Sequence, residues 1–304
     1  MFPPPQSIQT EVFARLPDQF RRGRRTPWAD ANRGGEALDA FLEGPSFDRA
    51  GNLYVVDIPY GRVFRISPEG EFSLVTEYDG QPNGLKIHRD GRIFIADYKN
   101  GIMLLDPGSG KVTPVLEARW SESFKGVNDL CFGSNGDLYF TDQGQTGLHD
   151  PTGRVYRLTA AGKLDLLIDT VPSPNGLVLN RRESILYVAV TRGNCVWRLP
   201  LHTDGGTSKV GLFVQLSGGL AGPDGLAMDE EDNLLVAHAG FGRVWLFDRL
   251  GVPLYCFHSC AGLMTTNLAF GGPDRKTLYI VESEAGVILR AASPAAGRLM
   301  YSQT

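Results

Sequence analysis

Cysteine is scarce in this chain: four in 304 residues, at positions 131, 195, 256 and 260. Four are too few to staple a chain of this length, which excludes a disulfide framework as the source of its stability. Cys131 and Cys195 fall inside strand-like runs and read as core thiols. Cys256 and Cys260 read as free thiols of a reducing compartment, since no second Cys or His pair stands at zinc spacing. Histidine is limited to five scattered residues, 88, 149, 202, 238 and 258. Charge of one sign is also missing: 34 acidic against 30 basic residues leave a formal charge of −4, which argues against nucleic acid or an anionic membrane as partner. No apolar run is long enough to span a bilayer. The N-terminal stretch MFPPPQSIQTEVFARL lacks the charged and apolar regions of a secretory signal, so a cytoplasmic location is expected. Neither G-x-S-x-G nor a phosphate-loop motif occurs, which leaves serine-nucleophile and P-loop chemistry without support.

What the sequence does contain is one unit written six times. EGPSFDRAGNLYVVD runs from Glu43 to Asp57: an acid, a short strand, a polar turn, and a second strand ending in Asp. Copies begin again at Asn83, Asn128, Asn175, Asp224 and Thr266, with starts 40 to 49 residues apart. Each is followed by a third apolar run, such as Arg62-Val63-Phe64-Arg65-Ile66 or Val244-Trp245-Leu246-Phe247, and a less regular fourth, such as Phe72-Ser73-Leu74-Val75. A period in the forties built of short strands and Gly-rich turns predicts an all-β fold: a six-bladed β-propeller with four antiparallel strands per blade. The whole chain, 1–304, is then expected to be one domain, with 43–304 forming the repeats. Residues 1–42 stand outside them, and Gln9–Arg15 reads as a strand that closes the ring on the last blade.

The position that opens each copy holds Glu43, Asn83, Asn128, Asn175, Asp224 and Thr266, and every one carries a side-chain oxygen. First strands line the channel of a propeller, so these residues form a ring at one mouth of it. Two carboxylates and three amides gathered on an axis suit a hard divalent cation. Taken singly, the same residue types also suit the turns that start strands. Outside the repeats, Arg21-Arg22-Gly23-Arg24-Arg25 reads as a solvated basic loop. Trp28 is open to two readings, a wall of the site or packing, and so is His238, a substrate contact or a bond between blades.

EGPSFD at Glu43, NDL at Asn128, SPNGL at Ser173 and GPDGL at Gly222 occur in the same order and at similar spacing in the SMP-30/gluconolactonase family. The chain resembles that family over roughly residues 40 to 300. GRVYRL, and GFGRVWLFDRLGVPL near the fifth copy, are similar to segments of its Drp35-type lactonases. The resemblance implies a six-bladed propeller and a metal-dependent enzyme that opens a lactone ring. It places metal ligands at Glu43, Asn175 and Asp224, with Asn128 touching the metal, its water or the substrate. It makes Asp224 the proton donor or acceptor, with Asp129 as a second candidate. Asn83, Lys125 and Thr146 are the other expected substrate contacts. Two departures weaken an aldonolactone substrate: Gly126 stands where sugar lactonases often carry Arg, and Thr146 where some carry an acid.

The ligand types favour Ca²⁺, with Mg²⁺, Mn²⁺, Zn²⁺ or Fe²⁺ as alternatives, and the lack of an imidazole argues against a dedicated zinc site. A metal-held carboxylate has its pKa depressed, which keeps Asp129 in play as the base. Residues near Trp120, Phe124 and Leu148 hint at a lactone less polar than a sugar acid's. Two other functions stay open: a DFPase-like phosphotriesterase on the same scaffold, and a non-catalytic binding propeller with a structural Ca²⁺. The expected partner is a small-molecule lactone, and the expected state a monomer or homodimer.

Overall fold

The computed structural model describes residues 2–304 and arranges them as a six-bladed β-propeller. Local chemistry makes each copy a hairpin. In the first, Asp48 Oδ1 accepts from the N–H groups of Ala50 and Asn52 at 2.9 and 2.8 Å, and Gly51 takes φ +83°. The resulting turn is one that Asp and Gly favour, and Asp229 builds the same one through Glu231 and Asn233.

From the axis outward, blade 1 consists of Leu42–Phe47, Leu53–Asp57, Arg62–Ile66 and Phe72–Glu77. Blade 2 is Pro82–Ile87, Ile93–Asp97, Gly101–Leu105 and Val112–Leu116. Blade 3 is Val127–Phe132, Leu138–Asp142, Gly153–Leu158 and Leu164–Val171. Blade 4 is Pro174–Leu179, Ile185–Val190, Cys195–Pro200 and Gly211–Gln215. Blade 5 is Gly222–Met228, Leu234–Ala239, Arg243–Phe247 and Pro253–His258. Blade 6 takes Thr265–Gly271, Thr277–Glu282 and Val287–Ala292 from the end of the chain.

The fourth strand of blade 6 comes from the other end: Glu11–Arg15 pairs antiparallel with Val287–Ala292. Gln6–Gln9 lies parallel on Pro253–His258 as a fifth strand of blade 5. The segment expected as one strand is therefore divided at Thr10. Its Oγ1 donates to His258 O at 2.8 Å and accepts from Cys260 N at 3.0 Å, which turns the chain from one blade to the next.

The core lies between blades. Leu42, Leu53, Val55 and Phe64 of blade 1 pack on Val281 and Ile288 of blade 6, and five similar buried clusters fill the other junctions. Sheets covered on both faces explain why strands such as LYVVD and ILYVAV read as near-continuous apolar runs. Trp28, on the short helix Pro27–Asn32, is buried with its ring centre 4.9 Å from that of Phe41. The basic loop is tied down by ion pairs, Arg22 to Glu77 and Arg25 to Asp30. All four cysteines are free, and only Cys260 is exposed. No helix among the described residues is long and apolar enough to cross a membrane.

Candidate active site at the channel mouth

Every inner strand carries a register shift just where the opening residue sits: between Glu43 and Ser46, Pro82 and Gly84, Val127 and Leu130, Pro174 and Leu177, Pro223 and Leu226, and Thr265 and Asn267. A bulge bends the strand and re-aims side chains. Six bulges in step turn the openers toward the axis. A second device fixes their height. In four blades the acid ending the second strand accepts the backbone N–H two residues before the opener: Asp57 from Phe41, Asp97 from Gln81, Asp142 from Gly126 and Glu282 from Met264. Thr146 Oγ1 does this for Ser173, two residues before Asn175. The repeated terminal Asp is thus a clamp on the site's backbone.

The residue after each opener forms the floor. Four of the six are glycine, and a Cβ on Gly84 would stand 2.7 Å from Asp129 Oδ1 and 2.8 Å from Asn128 O. On Gly225 a Cβ would meet the Asn267 amide at 2.3 Å. Close approach of the strands leaves room there for only two side chains, Asp129 and Asn267, and both are buried. Asn267 Nδ2 donates to Glu43 Oε2 at 2.8 Å and to Asp129 Oδ2 at 3.3 Å. Asp129 Oδ1 accepts from Leu130 N at 2.8 Å and lies 3.9 Å from Lys86 Nζ.

Glu43, Asp129 and Asp224 are close enough to act on one another electrostatically. Burial, with the Asp129 charge second, pushes the Glu43 carboxyl up to about 7. Burial, then the charges of Glu43 and Asp129, holds Asp224 well above the carboxylate range, against the pull of an Asn175 hydrogen bond and of Arg192. Of the amides, Asn128 donates to Gln143 Oε1 at 2.9 Å, and Gln143 in turn donates to Ser173 Oγ at 2.9 Å. Asn83 is buried at the same ring.

Of the other expected contacts, Thr146 is buried beside the ring, where it lines a cavity with Gln143 and Ser173. Lys125 is exposed and reaches Thr152 Oγ1 at 2.7 Å on the neighbouring loop. Thr146 spends its hydroxyl proton on Gln143 O at 2.6 Å besides clamping Ser173. Phe124 packs on Phe140 and Tyr156 in the core, whereas Trp120 and Leu148 are exposed. His238 is fully buried and accepts from Trp245 Nε1 at 3.2 Å, inside its own blade. At Gly126, with φ +155°, an added Cβ would strike the Tyr98 ring at 2.6 Å. An aromatic wall therefore occupies the room of the arginine expected in sugar lactonases.

Among the described residues no three His, Cys, Asp or Glu side chains gather tightly enough to hold a metal by themselves. A cation here needs the amide oxygens as well, and the donor set offers them. Two carboxylates raised by burial and by neighbouring carboxylate charge, beside neutral Asn83, Asn128 and Asn175, fit a hard cation with oxygen ligands.

The class these elements define is a six-bladed propeller with a ring of carboxylates and amides at one mouth. The chain matches the SMP-30/Gluconolactonase/LRE-like region over residues 41–284, and it belongs to that family. It is 32% identical over 239 residues to the lactonase drp35 of Staphylococcus aureus strain MRSA252, covering 75% of this chain and 71% of that protein. Among solved structures it resembles the calcium-binding protein regucalcin of Agrobacterium tumefaciens (22% identity, TM-score 0.78, 98% and 99% of the two chains). It also resembles a gluconolactonase of Xanthomonas campestris (22% identity, TM-score 0.73, 93% and 98%). At those identities the likeness to solved structures is one of fold.

Proposed function

We propose that this protein hydrolyses a lactone, with Glu43, Asn128, Asn175 and Asp224 holding one divalent cation, Ca²⁺ first among the candidates. The observation that carries the reading is the gathering of Glu43 and Asp129 on one buried Asn267 amide, with Asp224 near enough to feel both charges, within a family whose relatives include lactonases. When bound, the cation supplies Lewis-acid polarisation of the lactone carbonyl and offsets the buried negative charge. Asp224, its pKa raised and its carboxyl hydrogen-bonded to Asn175, is assigned the proton of the attacking water, to take and to return. Asp129 has both oxygens committed to Leu130 and Asn267. Its part is to set the charge and hold the floor under Glu43. The ring-opened product leaves as a hydroxy acid, and its new carboxyl releases one proton.

The test is the proton release on a panel of aldonolactones, aliphatic γ- and δ-lactones and dihydrocoumarin, after chelation and after each cation is added back. Asp224→Asn and Asp129→Asn are run alongside. Cation-restored turnover abolished by Asp224→Asn and only weakened by Asp129→Asn supports the assignment. Cation binding without opening of any lactone sinks it, and turnover of a phosphotriester instead would point to phosphotriester hydrolysis.

A further inference from the structure

A cavity of about 500 Å³ lies beside the ring, lined by Gln143, Thr146, Leu148, His149, Ser173 and Arg192, among others. It adjoins the site directly, because Gln143 holds Asn128 on one side and Ser173 on the other. Arg192 stands on the turn Thr191–Gly193 that follows the second strand of blade 4. Thr191 Oγ1 donates to Pro223 O at 2.8 Å, which ties that turn to the residue before Asp224. The guanidinium makes no hydrogen bond or ion pair among the described residues, although most arginines here do, Arg22, Arg62, Arg154 and Arg298 among them. Its stem and the His149 ring converge on Gly147: a Cβ there would stand 3.6 Å from Arg192 Cγ and 3.2 Å from His149 Nδ1. An uncommitted fork-shaped cation beside a roomy polar cavity is suited to bind a planar anion in two-point fashion.

Resting on the lactonase reading above, we infer that this cavity recognises an anionic substituent of the substrate: the lactone carries a carboxylate, bound by Arg192, while its ring lies over the channel mouth. This divides the labour of specificity. Tyr98 fills the corner by Gly126, and charge recognition falls to the turn of blade 4 instead.

Ring opening of 5-oxotetrahydrofuran-2-carboxylate, which takes up one water to give 2-hydroxyglutarate, is compared with that of uncharged γ-valerolactone. The expected result is a kcat/KM ratio favouring the carboxylate by roughly tenfold or more, lost in Arg192→Met and partly kept in Arg192→Lys. A parallel pair, 6-phosphogluconolactone against gluconolactone, distinguishes phosphate from carboxylate. An Arg192-dependent preference only in that pair would support the anion site and overturn the carboxylate. Neutral lactones opened at rates equal to or above the charged ones, with a ratio indifferent to Arg192, would overturn the inference and leave the lactonase reading standing. Calorimetric binding of 2-hydroxyglutarate to wild type and Arg192→Met is read separately. If no lactone is opened, Arg192-dependent binding still supports the pocket and its absence overturns it.

Discussion

The amide of Asn267 joins Glu43 to Asp129, reaching the first at 2.8 Å and the second at 3.3 Å. One neutral donor thus stands between two buried carboxylates that would otherwise repel. Asn267→Asp, nearly identical in shape, exchanges that donor for a third acceptor. We expect the variant to be destabilised by about 1–3 kcal/mol in chelator, the cost of leaving buried polar groups unpaired. Excess Ca²⁺ should recover much of the loss. Urea unfolding with and without cation measures both, and equal stability in chelator would show that the bridge contributes nothing.

Glu43 also gives stability without cation a direction in pH. Its folded pKa, about 7, lies above its ordinary 4.5, so the folded state binds the proton more tightly than the unfolded one. The associated stability is present below about 4.5 and is lost as pH rises through about 7. The chelated protein should therefore melt at a lower temperature at pH 8 than at pH 5.5. Glu43→Gln should reduce the slope, and bound cation should flatten it. Asp57, Asp142, Asp229 and Glu282, also raised by burial, act in the same direction. The Glu43→Gln difference is therefore the readout, and a slope unchanged by that substitution would exclude Glu43 as its source.

Arg62 and Asp57 form an ion pair with both side chains essentially out of solvent. Arg62 Nη1 also donates to Phe20 O at 2.8 Å, and Asp57 Oδ1 accepts from Phe41 N at 2.8 Å. Removing one member leaves the other's charge buried, so Arg62→Met should cost about 3–5 kcal/mol in urea unfolding. The double variant Arg62→Met/Asp57→Asn should recover part of it. No recovery would mean that lost packing, rather than stranded charge, sets the penalty.

Gly84 tests the floor. A methyl group there meets backbone at 2.8 Å as well as the Asp129 carboxylate, and backbone cannot swing aside as a side-chain tip can. Gly84→Ala should destabilise by about 1–3 kcal/mol and lower kcat more than it raises KM, because the strands carrying Asn83 and Asn128 are forced apart. Steady-state kinetics of the variant check this, and wild-type kinetics with wild-type stability would refute it.

The repeat made most of the fold legible. Six copies with spaced hairpins specify blades, and the oxygen-bearing openers mark where the inner strands meet. The floor was less visible. In the sixth copy Thr266 stands in the opener's place, and its Oγ is 2.6 Å from Ser283 Oγ, while the next residue, Asn267, makes the axial bridge. Four glycines at that second position hide its importance, because a side chain appears there only where the crowded strands admit one. The signal was Asp129 and Asn267 replacing glycine in an otherwise regular column. Thr146 is expected as a substrate contact from the resemblance, and Phe124 from the aromatic content of the loops over the mouth. Loop folding makes the first a clamp on Ser173 that also lines the cavity beside the ring, and turns the second to the core. Tyr98 and Arg192 sit on connections whose course no periodicity describes.

The pairing of Glu11–Arg15 with Val287–Ala292 also bears on the order of events in synthesis. A ribosome delivers the first of these strands long before the second exists, so the early segment must wait, unpaired, while five blades are made. Each completed blade can fold against its predecessor, but the sixth stays one strand short until the end of the repeat emerges. Gln6–Gln9 can dock on blade 5 first, which holds Glu11–Arg15 beside the edge it completes and leaves a far shorter loop to close. Closing the ring brings Asn267 of blade 6 against Glu43 of blade 1. The channel mouth assumes its working arrangement only when the ring does.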